Sequence, residues 1–336
     1  MTRLRWHIRI RGAVLGLSLL ALAAATLGAQ ARRFHEVSWR RVGGVPADSP
    51  DLLDPIYLAA LDSLVVVYDL GDFSVKAFGL DGALQWRFGR RGKGPGEFES
   101  VTDMQADPRG RLWLADAGTA RITVLSRAGK PERLIPLDNT VWNVLPARAD
   151  SFFAKQPLRT PWLDVFAPNG QRARHLPVPG PLLGLDYNQA VYSAGLNGSY
   201  TAVIALRWAS MFFVLELANG ELRQYEGFDR LPPARAVAER ITIRGKTVVG
   251  HRIDPKARAI YESVAVDGRH AYLLIGGAAA PARRIVDRHR LLDGGYAGSL
   301  LLPAPAAGLA WGAAGLVVLV TDPVPRVDVL QQVAAP

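Results

Sequence analysis

The residues best suited to chemistry lie in one short stretch. Between Gly89 and Phe98 the chain reads GRRGKGPGEF, with four glycines around Arg90, Arg91 and Lys93. Glycines beside a lysine are what a phosphate cradle uses, because backbone N–H groups and an ammonium converge on the anion. The details do not fit one. A phosphate loop needs Ser or Thr after the lysine and a helix beyond it, whereas Lys93 precedes Gly94 and Pro95 and the following residues read as a strand. A dinucleotide fingerprint fails too, because Glu97 stands where its last glycine belongs. The glycines therefore read as a tight crossover between two strands, and Arg90, Arg91 and Lys93 remain candidate binding residues.

A second basic concentration runs from about residue 227 to 259. It carries Arg230, Arg235, Arg240, Arg244, Lys246, Arg252, Lys256 and Arg258 against few acids. This density suits an anionic ligand or surface, with Arg244, Lys246 and Arg252 as its candidate contacts; a solvated hairpin explains the same residues. His35, His175, His251, His270 and His289 show no metal-binding spacing, no G-x-S-x-G elbow is present, and no catalytic residue or cofactor is assigned. Calcium or zinc enters only if a propeller enzyme assembles its site from one residue per blade. Trp86, Trp113, Trp142, Trp162 and Trp208 sit mostly in strand-like runs and are expected in the core rather than in a sugar-stacking site.

Composition narrows the class. The 336 residues are 49% hydrophobic and contain no cysteine, so neither a disulfide framework nor a thiolate metal site holds the fold. Net charge is +10. The first 35 residues place Arg3, Arg5, Arg9 and Arg11 before an apolar run, Ala13 to Leu27, and then Ala29 and Ala31 in an A-x-A pattern. That order is the signature of a secretory signal peptide, expected over 1–31, with a retained N-terminal anchor as the alternative. Removing it takes four arginines and no acid and leaves +6, too mild for a nucleic-acid partner. The mature chain holds no other uncharged run of membrane length. An exported, periplasmic or extracellular monomer is expected.

The elements that must position these residues are strands. SLVVVYD, RLWLAD, SYTAVIAL, HAYLLIG and LVVLVTD are short apolar runs with strand composition. Turn glycines at Gly82, Gly129, Gly170, Gly220 and Gly294 recur at intervals of 47, 41, 50 and 74 residues, and a four-stranded propeller blade takes 40–45. Blades are expected at about 52–88, 98–137, 140–179, 183–226 and 259–303, followed by a three-stranded remnant at 306–333. The spare segment HEVSWRRVGG, 35–44, supplies the missing strand and closes the ring. The expectation is an all-β, six-bladed β-propeller over 32–336. The 227–259 insertion is either an extra hairpin turning at Gly245 or half of a seventh blade.

Residues 89–130 carry a recognisable pattern through Gly94, Gly96, Phe98, Gly110, Asp116, Arg121 and Ile122. This segment resembles the NHL repeat, and Gly315, Asp322, Arg326 and Val327 echo it in the last blade. In blades three and five, Lys155 and Gly276 stand where the repeat's Asp would fall. The whole chain is similar to the secreted bacterial six-bladed propellers related to NHL proteins. The resemblance implies that Asp116 and Arg121 tie loops within a blade. By analogy with the fold, it implies a non-catalytic scaffold that binds a protein, peptide or glycan. The alternative is a metal-assisted lyase or lactonase with its site in the central channel, recognisable by polar side chains from several blades meeting at one channel mouth.

Overall fold

The computed structural model describes residues 31–35, 37–156, 162–180, 192–243, 246–277 and 283–334. Two compact units divide the chain, Met1–Arg33 and Phe34–Pro336. The expected signal segment falls almost entirely outside the described residues, as does Arg244. Among the described residues no helix is long and apolar enough to cross a membrane.

The larger unit is a ring of six four-stranded antiparallel sheets. The first strand, β1 (Val37–Val45), is held in reserve for the last blade. Blade one follows as β2 (Pro55–Leu61), β3 (Leu64–Asp69), β4 (Ser74–Phe78) and β5 (Leu84–Phe88), and blade two as β6 (Val101–Ala106), β7 (Leu112–Asp116), β8 (Arg121–Leu125) and β9 (Pro131–Pro136). Blade three is β10 (Asn143–Pro146), β11 (Phe152–Lys155), β12 (Asp164–Phe166) and β13 (Arg172–His175). Blade four is β14 (Tyr192–Leu196), β15 (Thr201–Leu206), β16 (Met211–Glu216) and β17 (Glu221–Glu226). A separate two-stranded hairpin, β18 (Ala236–Ile243) and β19 (Lys246–Ile253), precedes blade five, which is β20 (Tyr261–Val266), β21 (His270–Ile275), β22 (Ile285–Arg290) and β23 (Tyr296–Leu301). Blade six is β24 (Gly308–Gly312), β25 (Gly315–Val320) and β26 (Arg326–Ala334), completed by β1, which pairs with β26 from Val37↔Ala334 to Val45↔Val327. Closure by the N-terminal strand leaves no half-built sheet edge at the seam.

Burial explains the sequence pattern. A blade's second and third strands are covered on both faces by the neighbouring blades, so β3, β7 and β11 are largely apolar runs without alternation, and they and β4, which buries Ser74 and Lys76 as well, are almost wholly buried. Fourth strands form the rim, and β13 and β17 are polar and largely exposed. Among the described residues the core divides into six apolar clusters, each spanning one interface between adjacent blades. The five turn glycines that mark the repeat each have positive φ, from +67° to +85°, between the third and fourth strands of blades one to five. At Gly294 a Cβ would also lie 2.0 Å from the Tyr225 ring of the preceding blade, so that turn is a packing surface as well.

Candidate functional site

The six inner strands β2, β6, β10, β14, β20 and β24 run in the same direction around a central channel of about 450 Å³. Their walls are built from small or aliphatic residues such as Ala59, Ala106, Gly195, Val264 and Ala310. Such walls leave space on the axis that larger side chains would fill. Polar character gathers where the inner strands begin, and this end is called the mouth below. Trp311 stands toward the opposite end, stacked on Tyr272 with ring centroids 4.7 Å apart.

Three inner strands lose register at the mouth, between Pro55 and Tyr57, Val101 and Asp103, and Tyr261 and Ser263. Bulges of this kind turn side chains that regular pleating would direct elsewhere, and the extra residues Ile56, Thr102 and Glu262 all line the channel. The polar groups stitch the blades together, most between neighbours and one across the channel. Asp103 accepts from Met104 N (2.9 Å) and Gln105 Nε2 (3.1 Å) on its own strand and from Val144 N (3.0 Å) on blade three. The Gln105 amide also donates across to Ala194 O on blade four (3.1 Å). Arg207, at the end of β15, pairs with Glu262 of blade five at 2.7 Å, and Leu309 N of blade six donates to Ser263 Oγ at 2.9 Å.

Burial pushes the Asp103 carboxyl up to about 6 against these donors and the Asn143 side chain, all of which favour its charged form. Burial, with the Asp103 charge as a smaller cause, holds the Tyr57 hydroxyl well above its ordinary range. Lys155 is 4% exposed, and its ammonium lies 5.9 Å from the ring of Trp142, which lines the mouth. Desolvation lowers Lys155 to about 8.

Lys155 ends its blade's second strand, the place that Asp69 and Asp116 hold in blades one and two. Asp116, at the same place in blade two, accepts from Ser100 N (2.8 Å), Glu99 N (3.1 Å) and Gly118 N (3.1 Å), and so fixes the loop entering the blade. Asp69 does the same in blade one for Leu53 N, Asp54 N and Gly71 N, and adds a buried pair with Lys76 at 3.0 Å. Arg121 donates to the carbonyls of Lys93, Gly94 and Glu97. Asp116 and Arg121 therefore act as ties within the fold, and the crossover 89–98 is a clamped loop.

The candidate binding residues from the sequence occupy the loops on the mouth face. Arg90 pairs with Glu97 at 2.9 Å and Lys93 with Glu99 at 3.1 Å, both with exposed cationic ends, and the Arg91 guanidinium lies 5.2 Å from the Phe73 ring centroid. Glu97, supported by the Gly94 N–H and Arg90, is held below the usual carboxylate range. Arg252, on β19, pairs with Glu239 at 3.2 Å and is half exposed. Lys246 begins β19, with its side chain outside the described set. The insertion is anchored at the mouth: Ala234 N donates to Trp208 O and Ile260 N to Arg207 O, both at 2.7 Å.

Sequence reasoning placed Trp113 and Trp162 in the core correctly, both nearly fully buried. Trp142 departs from that expectation, because it precedes a short inner strand and lines the channel. Asp103, Gln105, Asn143 and Glu262 were missed. Asp103, Asn143 and Glu262 share one sequence signal, a polar residue near the start of a blade's first strand, whereas Gln105 lies near the end of β6 and has none. Among the described residues, no group of three or more His, Cys, Asp or Glu side chains is arranged to hold a metal ion.

No family model matches the chain, and no curated protein matches it. Solved structures do. A member of the DUF4221 family from Bacteroides vulgatus is similar over 91% of this chain and all of that one, with 10% identity and a TM-score of 0.57. The RRP9 WD40 repeats are similar over 90% of this chain and 99% of that one, with 11% identity and a TM-score of 0.53. Streptogramin B lyase is similar over 88% and 98%, with 13% identity and a TM-score of 0.50. At these identities the likeness carries the fold alone: the chain is a six-bladed, all-β propeller closed by its N-terminal strand.

Proposed function

We propose that this chain is an exported, monomeric, non-catalytic propeller of NHL type that binds a protein, peptide or glycan on its mouth face. The observation that carries this reading is the placement of cations. Residues 227–259 hold eight Lys or Arg against three Asp or Glu, a net +5, while the chain beyond residue 31 totals only +6. The insertion rises from the mouth, and Arg230, Arg235, Arg240, Lys256 and Arg258 in it are exposed. Arg90, Arg91 and Lys93 lie on the same face, on a loop clamped by Arg121. Several of these cations pair with acids, as Arg90 does with Glu97, Lys93 with Glu99 and Arg252 with Glu239, but the excess is positive, and loops of net positive charge on a stable disc suit recognition of an anionic macromolecule. Export rests on the N-terminal signal pattern.

A metal-assisted lyase or lactonase is the second reading. It is favoured by the meeting of Asp103, Asn143 and Glu262, from three blades, at the channel mouth. Against it, Asp103 is surrounded by protein donors and Glu262 is paired with Arg207. A thermal-shift screen with calcium, zinc, EDTA, and a panel of glycans and peptides separates the two. Stabilisation by an acidic glycan or peptide, weakening with salt, supports the scaffold. Stabilisation by a metal, reversed by EDTA, supports the enzyme and overturns the scaffold reading.

A further inference from the structure

The charged loops and the channel differ in what they can hold. Two anions, Asp103 and Glu262, and one cation, Arg207, line the channel, and the buried Lys155 ammonium lies behind Trp142, so the formal charge around the mouth is close to balanced. An ionic ligand would gain nothing there on balance. What the mouth offers is neutral hydrogen bonding. Ser263 accepts from Leu309 N and keeps its own hydroxyl proton to donate. Deeper in the channel, Gln105 spends its NH₂ on Asp103 and Ala194 and keeps its carbonyl oxygen as an acceptor. Thr102, which lines the channel, turns its hydroxyl to Val141 O (3.1 Å) and Ala115 O (3.3 Å) and so spends its donor within the fold. Beside these groups is the half-buried Trp142 ring, a flat surface suited to stacking on C–H bonds. The cavity of about 450 Å³ is of ligand-binding size, with small walls below the polar rim.

We infer that the channel mouth is a second, separate binding site, for an uncharged polyhydroxylated small molecule of the mono- or disaccharide class. Trp142 stacks on the ring, while Asn143, Gln105 and Ser263 exchange hydrogen bonds with its hydroxyls. A ligand rich in groups that both donate and accept matches a rim holding both roles without net charge. The site goes beyond the scaffold reading, because it uses none of the loop or insertion cations.

The test is calorimetry and saturation-transfer NMR on the purified protein. The probes are glucose, galactose, N-acetylglucosamine and cellobiose, set against glucuronate and glucose 6-phosphate, in low and high salt. Saturable binding of at least one neutral sugar, unchanged by salt, is expected. Trp142→Ala and Asn143→Ala should weaken it about tenfold or more with an unchanged fold by circular dichroism. Should Trp142→Ala fail to fold, Ser263→Ala reports on the same rim. A triple variant Arg90→Gln, Arg91→Gln, Lys93→Gln should keep sugar binding while losing affinity for acidic polymers, so the failure of either site is read separately. Absence of binding by every neutral sugar, or preference for the charged sugars that fades with salt, would overturn the inference.

Discussion

Lys155 offers the sharpest test of the physical reasoning, because it buries a cation at the strand end where blades one and two hold Asp69 and Asp116. Desolvation brings it from 10.5 to about 8, and that difference is worth about 3 kcal/mol. The folded state thus binds fewer protons at this site than the unfolded state between pH 8 and 10.5. Stability must therefore rise with pH across that window and is lowest, as far as this group matters, at pH 8 and below. Replacing Lys155 with Met removes the buried charge, keeps a flexible apolar stem, and gives up a cation–π contact with Trp142 worth about 1 kcal/mol. The net gain expected at pH 7 is about 2 kcal/mol. Lys155→Arg should do the reverse, because a guanidinium does not shed its proton. Urea unfolding followed by tryptophan fluorescence, repeated from pH 7 to 10.5, measures both. The Met variant's advantage should shrink steadily above pH 8 and be gone by about pH 10. A Met variant no more stable at pH 7, or an advantage that does not change with pH, would refute the assignment of a desolvated charge.

Three further outcomes follow from the geometry. Asp116→Ala leaves three backbone N–H groups without their acceptor and should cost about 3–5 kcal/mol in chemical denaturation; a loss below about 1 kcal/mol would mean that the entering loop holds itself. His289 is buried against Phe212, with Nδ1 facing Gly294 O, and burial lowers its pKa below the ordinary 6.5. Its neutral form is favoured by folding, so stability should fall as pH drops below about 6.5; His289→Phe should remove that part of the acid sensitivity in melting curves between pH 7 and 5. Truncating the chain to begin at Pro46 strips β1 from β26, leaving an unpaired edge of nine residues; light scattering should then report oligomers in place of a monomer.

Blade number and closure were legible because their causes are local. A turn that needs positive φ takes glycine, so Gly82, Gly129, Gly170, Gly220 and Gly294 print the repeat directly into the chain. A second strand covered on both faces reads as an unbroken apolar run, as at Leu64–Asp69 and Leu112–Asp116. The surplus segment 35–44 and the three-stranded last unit matched by count, and β1 pairs with β26 accordingly. Residues 227–259 offered two patterns with equal local logic; the hairpin β18–β19 stands apart from every blade, which leaves six.

The channel mouth was decided by tertiary structure alone. Val101–Ala106, VTDMQA, looks like any partly polar strand, and nothing local distinguishes Asp103 from a solvated carboxylate. Its neighbours Asn143 and Val144 lie forty residues on, and Arg207 meets Glu262 across fifty-five. These groups become partners only when the ring closes and the bulges at Ile56, Thr102 and Glu262 turn the strand starts toward the axis. Trp142 shows the same division. Its apolar bulk marked it for burial, but whether a ring packs into a core or faces a channel depends on what stands opposite, and here that is the axis of the propeller. Sequence determined the repeat, because backbone preference and two-sided burial act within a few residues. Structure decided the site, because a binding surface is a relation among strands that only the closed ring brings together.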